Sequence, residues 1–317
     1  MKALKLRSFF LCLGLLLWCS NARAEAEKGM PEELEGVSRS QTLVIGRVTN
    51  DPSKHYERLK TMVDYVAGRL KDSGIRQGSI LMAKSNEEMI QYLKEGKVDW
   101  VSETPFSAII FSEETGAEMV LRKWKDEAPE YYSVFITRKD SGINSLDDLK
   151  GKKIAFEDTG STTAYFVPTA VLKGEGLQLQ ELSSPRENSS PDKVGYVFAK
   201  DELNISTWVH KGLTEAGAFS NLDWEDSGET PEAFKKDLKI FYQTKPFPRA
   251  VELLRKDLDP KIKRRIMEVL LGAHEDPEAK DALKAYDKCT RFDELEGKAK
   301  EGLEEARRIL ERTGCRK

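Results

Sequence analysis

The sequence predicts an α/β fold of two lobes, joined by two crossing strands and completed by a helical C-terminus. Three observations predict it. From Gln41 onward, short apolar strands alternate with amphipathic helices, an order that produces mostly parallel sheets covered on both faces. The alternation restarts at Lys153, after a strongly strand-forming stretch. The chain of 317 residues is long enough for two compact lobes of ordinary size, even without an N-terminal leader.

The N-terminus has the order of a secretory signal peptide. A short basic stretch is followed by an apolar run from Phe9 to Trp18 and by the small-residue tripeptide Ala22–Ala24. The apolar run is about half as long as the roughly twenty residues that a bilayer-spanning helix needs. We therefore expect residues 1–24 to be removed and the mature chain to be periplasmic.

Composition and charge exclude several classes of function. Charged residues make up 33% of the chain, with both signs interspersed and a formal net charge of −3. Nothing resembles the basic stripe that a nucleic-acid-binding protein requires, so no nucleic-acid partner is expected. The three histidines are far apart in the sequence, so we predict neither a metal site nor a cofactor. No repeat or heptad pattern indicates an oligomer, so a monomer is expected.

Two cysteines, Cys289 and Cys315, remain after the predicted leader is removed. In an oxidising compartment such a pair favours a disulfide. The bridge would fasten the last helix to the segment before it and contribute on the order of 3 kcal/mol to stability. Two free thiols near the C-terminus are the alternative.

The first lobe is predicted from two strand–helix units. Its strands are expected at residues 42–46, 80–83 and 98–101, and its helices at residues 53–73 and 86–95. The first helix has apolar residues at helical spacing on one face: Leu59, Met62, Val63, Val66 and Leu70.

The second lobe begins with the strand-forming run Tyr131–Thr137, which is expected to cross between the lobes. A new series of strands and helices follows, predicted at residues 153–156, 162–174, 194–198, 202–211, 216–219 and 237–243. After Pro246 and Pro248 the pattern is helical only, with helices predicted at residues 260–271, 276–286 and 295–312.

The two lobes are assigned from these crossings. Residues 41–134 and 245–317 are predicted to form the first lobe, and residues 135–244 the second. A ligand is expected in the cleft between the lobes, where strands end and helices begin.

The most informative stretch is Asp158–Pro168, which lies between a predicted strand and a predicted helix. Ser161, Thr162 and Thr163 place three hydroxyl groups beside the free N–H groups of a helix start, and Gly160 allows a close turn. A helix start carries unpaired donors and a partial positive charge, so it binds an anion without Lys or Arg. An ordinary Ser or Thr helix cap is the alternative.

Arg47 follows the first predicted strand, at the edge of the sheet where ligand residues of the first lobe are expected. A guanidinium group there can form the paired hydrogen bonds that oxyanions favour. Pairing with a neighbouring carboxylate is the alternative.

Several segments carry a resemblance to a known family. They are Gly96–Asp99, Thr104–Phe106, Lys139–Phe156, Asp158–Pro168 and Arg255–Pro260. In their order and spacing they resemble the phosphonate- and phosphite-binding proteins of ABC importers, over a range from about Leu43 to Tyr286.

The resemblance implies a type II periplasmic-binding-protein fold, and a binding protein rather than an enzyme. It implies that a small oxyanion such as a phosphonate, phosphite or phosphate is held by Ser161, Thr162 and Thr163. Tyr131 or Tyr132 matches an aromatic residue on the family's first crossing strand. The implied partner is an ABC permease in the membrane.

The sequence departs from the family pattern at acidic positions. Ala199–Glu202 stands where the family has a histidine–aspartate pair, and Glu103 with Thr104 stands where it has a glycine. Four carboxylates would bring negative charge to a cleft that is expected to hold an anion: Glu103, Asp201, Glu202 and Asp223. These carboxylates either accept hydrogen bonds from a protonated oxyanion or a ligand ammonium group, or serve as helix caps and solvated surface.

Two other classes of function are alternatives. Catalysis would need a nucleophile beside a base, or a set of metal ligands, and the sequence presents neither. His210 stands on a predicted helix without a Ser or Cys partner nearby, which favours a structural role. A ligand-sensing subunit for a membrane signalling protein, or a binder of a different small solute on the same fold, would use the same two-lobed clamp.

Overall fold

A computed structural model of the chain describes residues 38–49 and 51–313. It contains two six-stranded sheets and a two-stranded ribbon formed by the connections between them. The signal peptide predicted over residues 1–24 lies outside the described residues. Among the residues that are described, no helix is long and apolar enough to cross a membrane.

The first sheet contains strands β1 (Thr42–Val48), β2 (Gln77–Ala83), β3 (Trp100–Glu103), β4 (Glu118–Lys125), β13 (Ala250–Leu254) and β14 (Cys289–Glu294), numbered along the chain. They lie in the order β14–β4–β13–β3–β1–β2. β1 pairs in parallel with β2 and β3, whereas β13 and β14 run antiparallel to their neighbours. The carboxyl ends of β1 and β3 therefore meet at one edge, which brings Arg47 and Glu103 together.

Two of these strands correct the prediction that only helices follow Pro246 and Pro248. β13 lies between β3 and β4, and every one of its residues is buried. A fully buried strand lacks the alternation of apolar and polar residues, so its pattern does not distinguish it from part of a helix. β14 occupies the sheet edge, in a segment that was expected to connect two helices.

Helices cover both faces of the first sheet. One face carries α1 (Pro52–Gly68), α8 (Pro260–Gly272) and α9 (Lys280–Ala285), and the other carries α2 (Asn86–Lys94), α3 (Pro105–Thr115) and α10 (Lys298–Thr313). The apolar face predicted for the first helix is confirmed, because its members are at most 1% exposed: Leu59, Met62, Val63, Val66 and Leu70.

The second sheet contains strands β6 (Ser133–Arg138), β7 (Lys153–Phe156), β8 (Gln178–Glu181), β9 (Lys193–Phe198), β10 (Ala216–Ser220) and β11 (Leu238–Gln243), in the order β11–β6–β10–β7–β9–β8. A π-helical turn, Thr162–Phe166, continues directly into α4 (Val167–Gly174). The remaining helices are α5 (Glu202–His210), α6 (Asn221–Glu225) and α7 (Glu232–Lys235). The sequence analysis did not anticipate β8, α6 or α7.

The connections between the two sheets form a short antiparallel ribbon. Its strands are β5 (Glu130–Tyr131) and β12 (Phe247–Pro248), with Tyr131 opposite Phe247. Two α/β lobes joined by two crossing strands confirm the predicted fold class. The boundaries assigned to the lobes from the sequence remain predictions.

One apolar cluster is shared by both lobes and the ribbon. Its members come from α3, α4, α10, β5 and β12: Phe106, Ile109, Val167, Ala170, Ile309, Leu310, Tyr131 and Phe247. The rings of Phe106 and Phe247 meet edge to face, with centroids 5.5 Å apart. The C-terminal helix α10 therefore packs against the second lobe as well as the first.

Cys289 begins β14, is buried, and has no disulfide partner among the described residues. Burial raises the pKa of this thiol to about 12. Cys315 lies outside the described residues, so the disulfide between the two remains a prediction.

Candidate functional site

The predicted hydroxyl groups lie at the helix start that leads into α4. Ser161 is the N-cap residue, and its Oγ accepts a hydrogen bond from the N–H of Ala164 at 3.2 Å. Thr163 is buried, and its carbonyl oxygen accepts a hydrogen bond from Ser133 Oγ at 2.9 Å. Thr162 lines a cavity. The helix-cap alternative therefore describes Ser161, whereas the side chain of Thr162 hydrogen-bonds with Tyr131.

A cavity of about 400 Å³ lies between the lobes, and we name it the interlobe cavity. Its second-lobe wall consists of Thr159, Gly160, Thr162 and Phe166. Its first-lobe wall consists of Val48, Thr49, Lys84, Asn86, Glu103, Thr104, Phe106, Ser107 and Ile110. Three residues singled out in the sequence, Glu103, Thr104 and Thr162, therefore meet in one cavity, and Lys84 adds a positive charge to it.

Glu103 is tied to the backbone of the first-lobe wall. Its Oε1 accepts a hydrogen bond from the N–H of Val48 at 3.2 Å, and its Oε2 accepts one from the N–H of Thr104 at 3.3 Å. Burial raises the pKa of this carboxyl, and the nearby charge of Arg47 opposes the rise. Glu103 thus joins the ends of β1 and β3 where they border the cavity.

Arg47 pairs with a carboxylate, as in the alternative given for it. Its Nη1 donates to Asp287 Oδ2 at 2.7 Å. Asp287 also forms salt bridges with Lys123, at 3.3 Å, and with Arg58, at 3.4 Å. Burial raises the pKa of Asp287, but the charges of Lys123, Arg47 and Lys125 outweigh it and hold that pKa far below its usual range. One carboxylate therefore forms salt bridges with three cations.

A second cavity, of about 540 Å³, opens beside Asp287, and we name it the basic cavity. Five of its lining side chains are basic and three are acidic. The basic ones are Arg58, Lys125, Arg249, Lys284 and Lys288.

Lys125 and Arg249 are the functional candidates that the sequence analysis missed. Within the described part of the chain, neither of them forms a salt bridge. The Nε of Arg249 is buried without a hydrogen-bond partner among the described residues. Burial lowers the pKa of Lys125 to about 8, against the attraction of Asp287. A usable signal was their position, since Lys125 ends β4 and Arg249 directly follows β12.

Two tight turns hold the charges around the basic cavity. Asp126 and Glu127 have φ angles of 48° and 63°, and Asp287 and Lys288 have φ angles of 55° and 53°. Non-glycine residues adopt this left-handed region infrequently, and aspartate tolerates it better than most. The turns are joined by the N–H of Asp126, which donates to the carbonyl of Lys288 at 3.1 Å. The backbone that carries Lys125 and Asp287 is therefore fixed on both sides.

Tyr131 lies between the two cavities. The Arg249 guanidinium carbon is 4.6 Å from the centroid of the Tyr131 ring. Burial raises the pKa of Tyr131, and Arg249 and Thr162, both close to its hydroxyl, oppose the rise. Tyr132 points elsewhere: it packs in the second lobe, and its N–H donates to Asn221 Oδ1 at 2.9 Å. Of the two tyrosines, Tyr131 is the one placed beside cavity residues.

The acidic residues of the second lobe act first as helix caps. Exposed Asp201 caps α5, because its Oδ1 accepts hydrogen bonds from the N–H groups of Leu203 at 3.0 Å and Asn204 at 3.4 Å. Asp223 forms a capping box with Ser220, whose N–H donates to its Oδ2 at 2.9 Å. Burial raises the pKa of Asp223. The alternative of helix caps therefore describes both residues.

Glu202 lies beside these caps. Oxygen atoms of Asp201, Glu202 and Glu229 lie within 4.8 Å of one another. Burial, followed by repulsion from Glu157 and Asp223, raises the pKa of Glu202 to about 8. The raised pKa favours the protonated form of Glu202, which makes this acidic cluster less negative than its composition suggests.

A family model described as "ABC transporter, phosphonate, periplasmic substrate-binding protein" matches residues 48–299. The Phosphate-import protein PhnD of Mycolicibacterium smegmatis is 28% identical over 224 residues, which cover 69% of this chain and 66% of that protein. The Phosphonates-binding periplasmic protein of Escherichia coli is 28% identical over 162 residues, or 50% of this chain and 45% of that protein. The chain thus matches less than two thirds of these relatives.

Solved structures agree in fold. A Xanthomonas citri protein, solved with chloride and with ATP, is 37% identical with a TM-score of 0.76; the match covers 86% of this chain and 99% or 98% of that one. PhnD1 of Prochlorococcus marinus, solved with methylphosphonate, has a TM-score of 0.56 at 18% identity, which supports the fold alone. The described family consists of binding components of transporters, which confirms the prediction that the chain is not an enzyme. This chain belongs to the family of periplasmic substrate-binding proteins of phosphonate ABC transporters.

Proposed function

We propose that this chain is the extracytoplasmic solute-binding component of an ABC importer, and that it holds a small phosphate- or phosphonate-bearing anion between its lobes. The observation that carries the proposal is the interlobe cavity, whose second-lobe wall is a helix start bearing Thr162. Such a helix start binds anions through its N–H groups and hydroxyls. The ligand class is supported by the Xanthomonas citri relative, which holds anions, chloride in one structure and ATP in another.

The energetic demand on such a site is modest. Micromolar affinity corresponds to about 8 kcal/mol. A hydrogen bond to a charged group contributes roughly 1.5 to 3 kcal/mol, so about four or five bonds suffice. The lining of the interlobe cavity includes Thr49, Thr104 and Thr162, which carry hydroxyls, and Lys84, which carries an ammonium group.

Transport follows from closure of the lobes over the ligand. The two strands of the ribbon are the connections between the sheets, so they are the place where the backbone bends. A ligand that contacts both walls of the interlobe cavity stabilises the closed arrangement, because neither wall alone completes its hydrogen bonds. A membrane permease then recognises the closed monomer by its changed surface.

The test is a binding measurement on the mature chain. Thermal unfolding and calorimetric titration are recorded with phosphate, phosphite, methylphosphonate, aminoethylphosphonate and ATP, with sulfate as the comparison anion. A ligand at about one hundred times its Kd adds roughly 2.7 kcal/mol, a shift of several degrees in Tm. The Thr162→Val variant is expected to weaken binding of the preferred ligand by about 10-fold, because it removes one hydrogen bond to a charged group.

Thr169→Val is the matched control for this variant. Thr169 lies on α4, and its hydroxyl donates to the carbonyl of Phe166 at 2.9 Å rather than to the cavity. Its loss should leave affinity within about 2-fold of the parent. The proposal is wrong if none of the phosphorus anions shifts Tm, or if both threonine variants weaken binding equally.

A further inference from the structure

We propose that the basic cavity is a second anion subsite, so that the preferred ligand carries at least two phosphate-type groups, as an organic or inorganic polyphosphate does. This inference rests on the proposed function, because it adds a second subsite to the interlobe cavity. It is carried by unneutralised positive charge, by a buried donor without a partner, and by the contact between the two cavities at Tyr131.

The first step is the charge balance around the basic cavity. Asp287 already forms salt bridges with Arg47, Lys123 and Arg58. Lys125 also acts on this carboxylate, but neither Lys125 nor Arg249 forms a salt bridge with any residue described. Partly buried cations are stable when an anion accompanies them. The lining of the basic cavity holds three carboxylates for five basic side chains, so a ligand anion would balance the remaining positive charge.

The second step is the geometry of the donors. Arg249 stacks on the Tyr131 ring, and this contact fixes the plane of its guanidinium group. Its buried Nε finds no acceptor within the described residues. A planar guanidinium with a free edge matches two oxygen atoms of one phosphate group. Lys125 adds a compact charge to the same cavity.

The third step is continuity with the interlobe cavity. Tyr131 contacts both Arg249, which lines the basic cavity, and Thr162, which lines the interlobe cavity. Arg47 makes a second link, because it pairs with Asp287 and its charge acts on Glu103. On this inference one extended ligand reaches both subsites. The basic cavity, at about 540 Å³, falls within the usual range for small-molecule sites.

The experiment compares orthophosphate, pyrophosphate and tripolyphosphate by calorimetric titration against the mature chain. Tripolyphosphate is expected to bind at least about 10-fold more tightly than orthophosphate, since it reaches Lys125 and Arg249 as well. The Arg249→Gln and Lys125→Met variants should each lose about 10-fold or more for tripolyphosphate and less than about 3-fold for orthophosphate. Arg249→Lys should recover only part of the loss, because it lacks the paired donors.

Lys298→Met is the charge-matched control. It removes one positive charge from the exposed start of α10, and it should leave both affinities within about 2-fold. Thermal unfolding of each variant without ligand confirms that it folds. The inference is overturned if tripolyphosphate binds no more tightly than orthophosphate, or if the two variants weaken both ligands alike. Orthophosphate binding without a preference for longer chains overturns the second subsite alone, whereas no binding of any phosphorus anion, phosphite and the phosphonates included, also overturns the proposed function.

Discussion

The two lobes solve the problem of buried charge in opposite ways. In the first lobe, Arg47, Lys123 and Arg58 gather around the carboxylate of Asp287, and basic side chains outnumber acidic ones around the basic cavity. In the second lobe, Glu202 lies near Glu157 and Asp223, and burial together with their repulsion raises its pKa to about 8. The first lobe thus offers charge to an anion, whereas the second shifts an acidic side chain toward its neutral form.

This difference explains how an anion can approach carboxyl groups. Two ionised carboxylates would repel a dianion. The raised pKa of Glu202 favours its neutral form, which repels an anion less, while Asp201 and Asp223 direct their oxygen atoms to helix N–H groups. The acidic departures from the family pattern are therefore compatible with an anionic ligand.

The largest expected effect comes from removing the carboxylate at the centre of the first lobe's ionic cluster. In Asp287→Asn the carboxylate charge is lost, and Lys123, with 1% of its side chain exposed, loses its salt-bridge partner while it stays buried. Removing one partner of a buried pair costs about 3–5 kcal/mol. Asparagine tolerates the φ angle of 55°, so the turn itself is kept. We expect Tm to fall by about 10 °C.

The control for this variant is Asp126→Asn on the adjoining turn. Asp126 is exposed, and its change should cost about 0.5 kcal/mol or less. If Asp287→Asn unfolds within a degree or two of the parent, then the ionic cluster does not stabilise the first lobe. The contrast between the lobes would then not hold for the first of them.

An intermediate effect is expected in the second lobe, where the free energy of unfolding depends on pH through Glu202. The pKa of Glu202 is raised to about 8 in the folded chain and is about 4.3 in the unfolded chain. Its contribution is therefore fully present below about pH 4 and is lost as the pH rises through about 8. With allowance for solvent screening, Glu202→Gln should unfold about 1–2 kcal/mol less readily than the parent at pH 9.

The measurement is Tm of both proteins at intervals from pH 5 to pH 9. Taking the difference between them cancels the titration of other groups. A difference in Tm that stays constant over this range would mean that Glu202 is ionised at neutral pH. The two lobes would then not differ in the way described.

The smallest expected effect separates capping from ligand binding. Asp201→Ala removes the N-cap of α5 and should lower stability by about 1 kcal/mol, measured by denaturant unfolding. Affinity for the preferred phosphorus anion should stay within about 2-fold, because the carboxylate is already engaged with backbone N–H groups. A larger change in affinity would make Asp201 a ligand contact and would return it to the role first considered from the sequence.

Local patterns allowed much of the fold and part of the site to be predicted. The helix start with Thr162 is a local signal, since it needs only a strand, a turn and hydroxyl residues in order. The face of α1 follows from helical spacing. β13 was missed because a buried strand has no periodicity of its own, and the buried Glu252 inside it adds a charge where apolar residues were expected.

The basic cavity could not be predicted because its chemistry depends on chain topology. Lys125 and Arg249 are distant in the sequence, and they meet because both crossings between the sheets pass through the same ribbon. Whether a lysine has a carboxylate partner is also a three-dimensional property. Asp287 forms salt bridges with Arg47 and Lys123, whereas Lys125 forms no salt bridge among the residues described. Composition alone reports only that the charges nearly balance.

The apolar cluster shared by α3, α4, α10 and the ribbon links the stability of the lobes. Separating them on that side would expose Phe106, Val167 and Leu310 to water, at about 25 cal/mol for each Å² of apolar surface. The cleft is therefore expected to open on the opposite side, around the intact cluster. For the same reason, we expect the two lobes to unfold together in one cooperative transition.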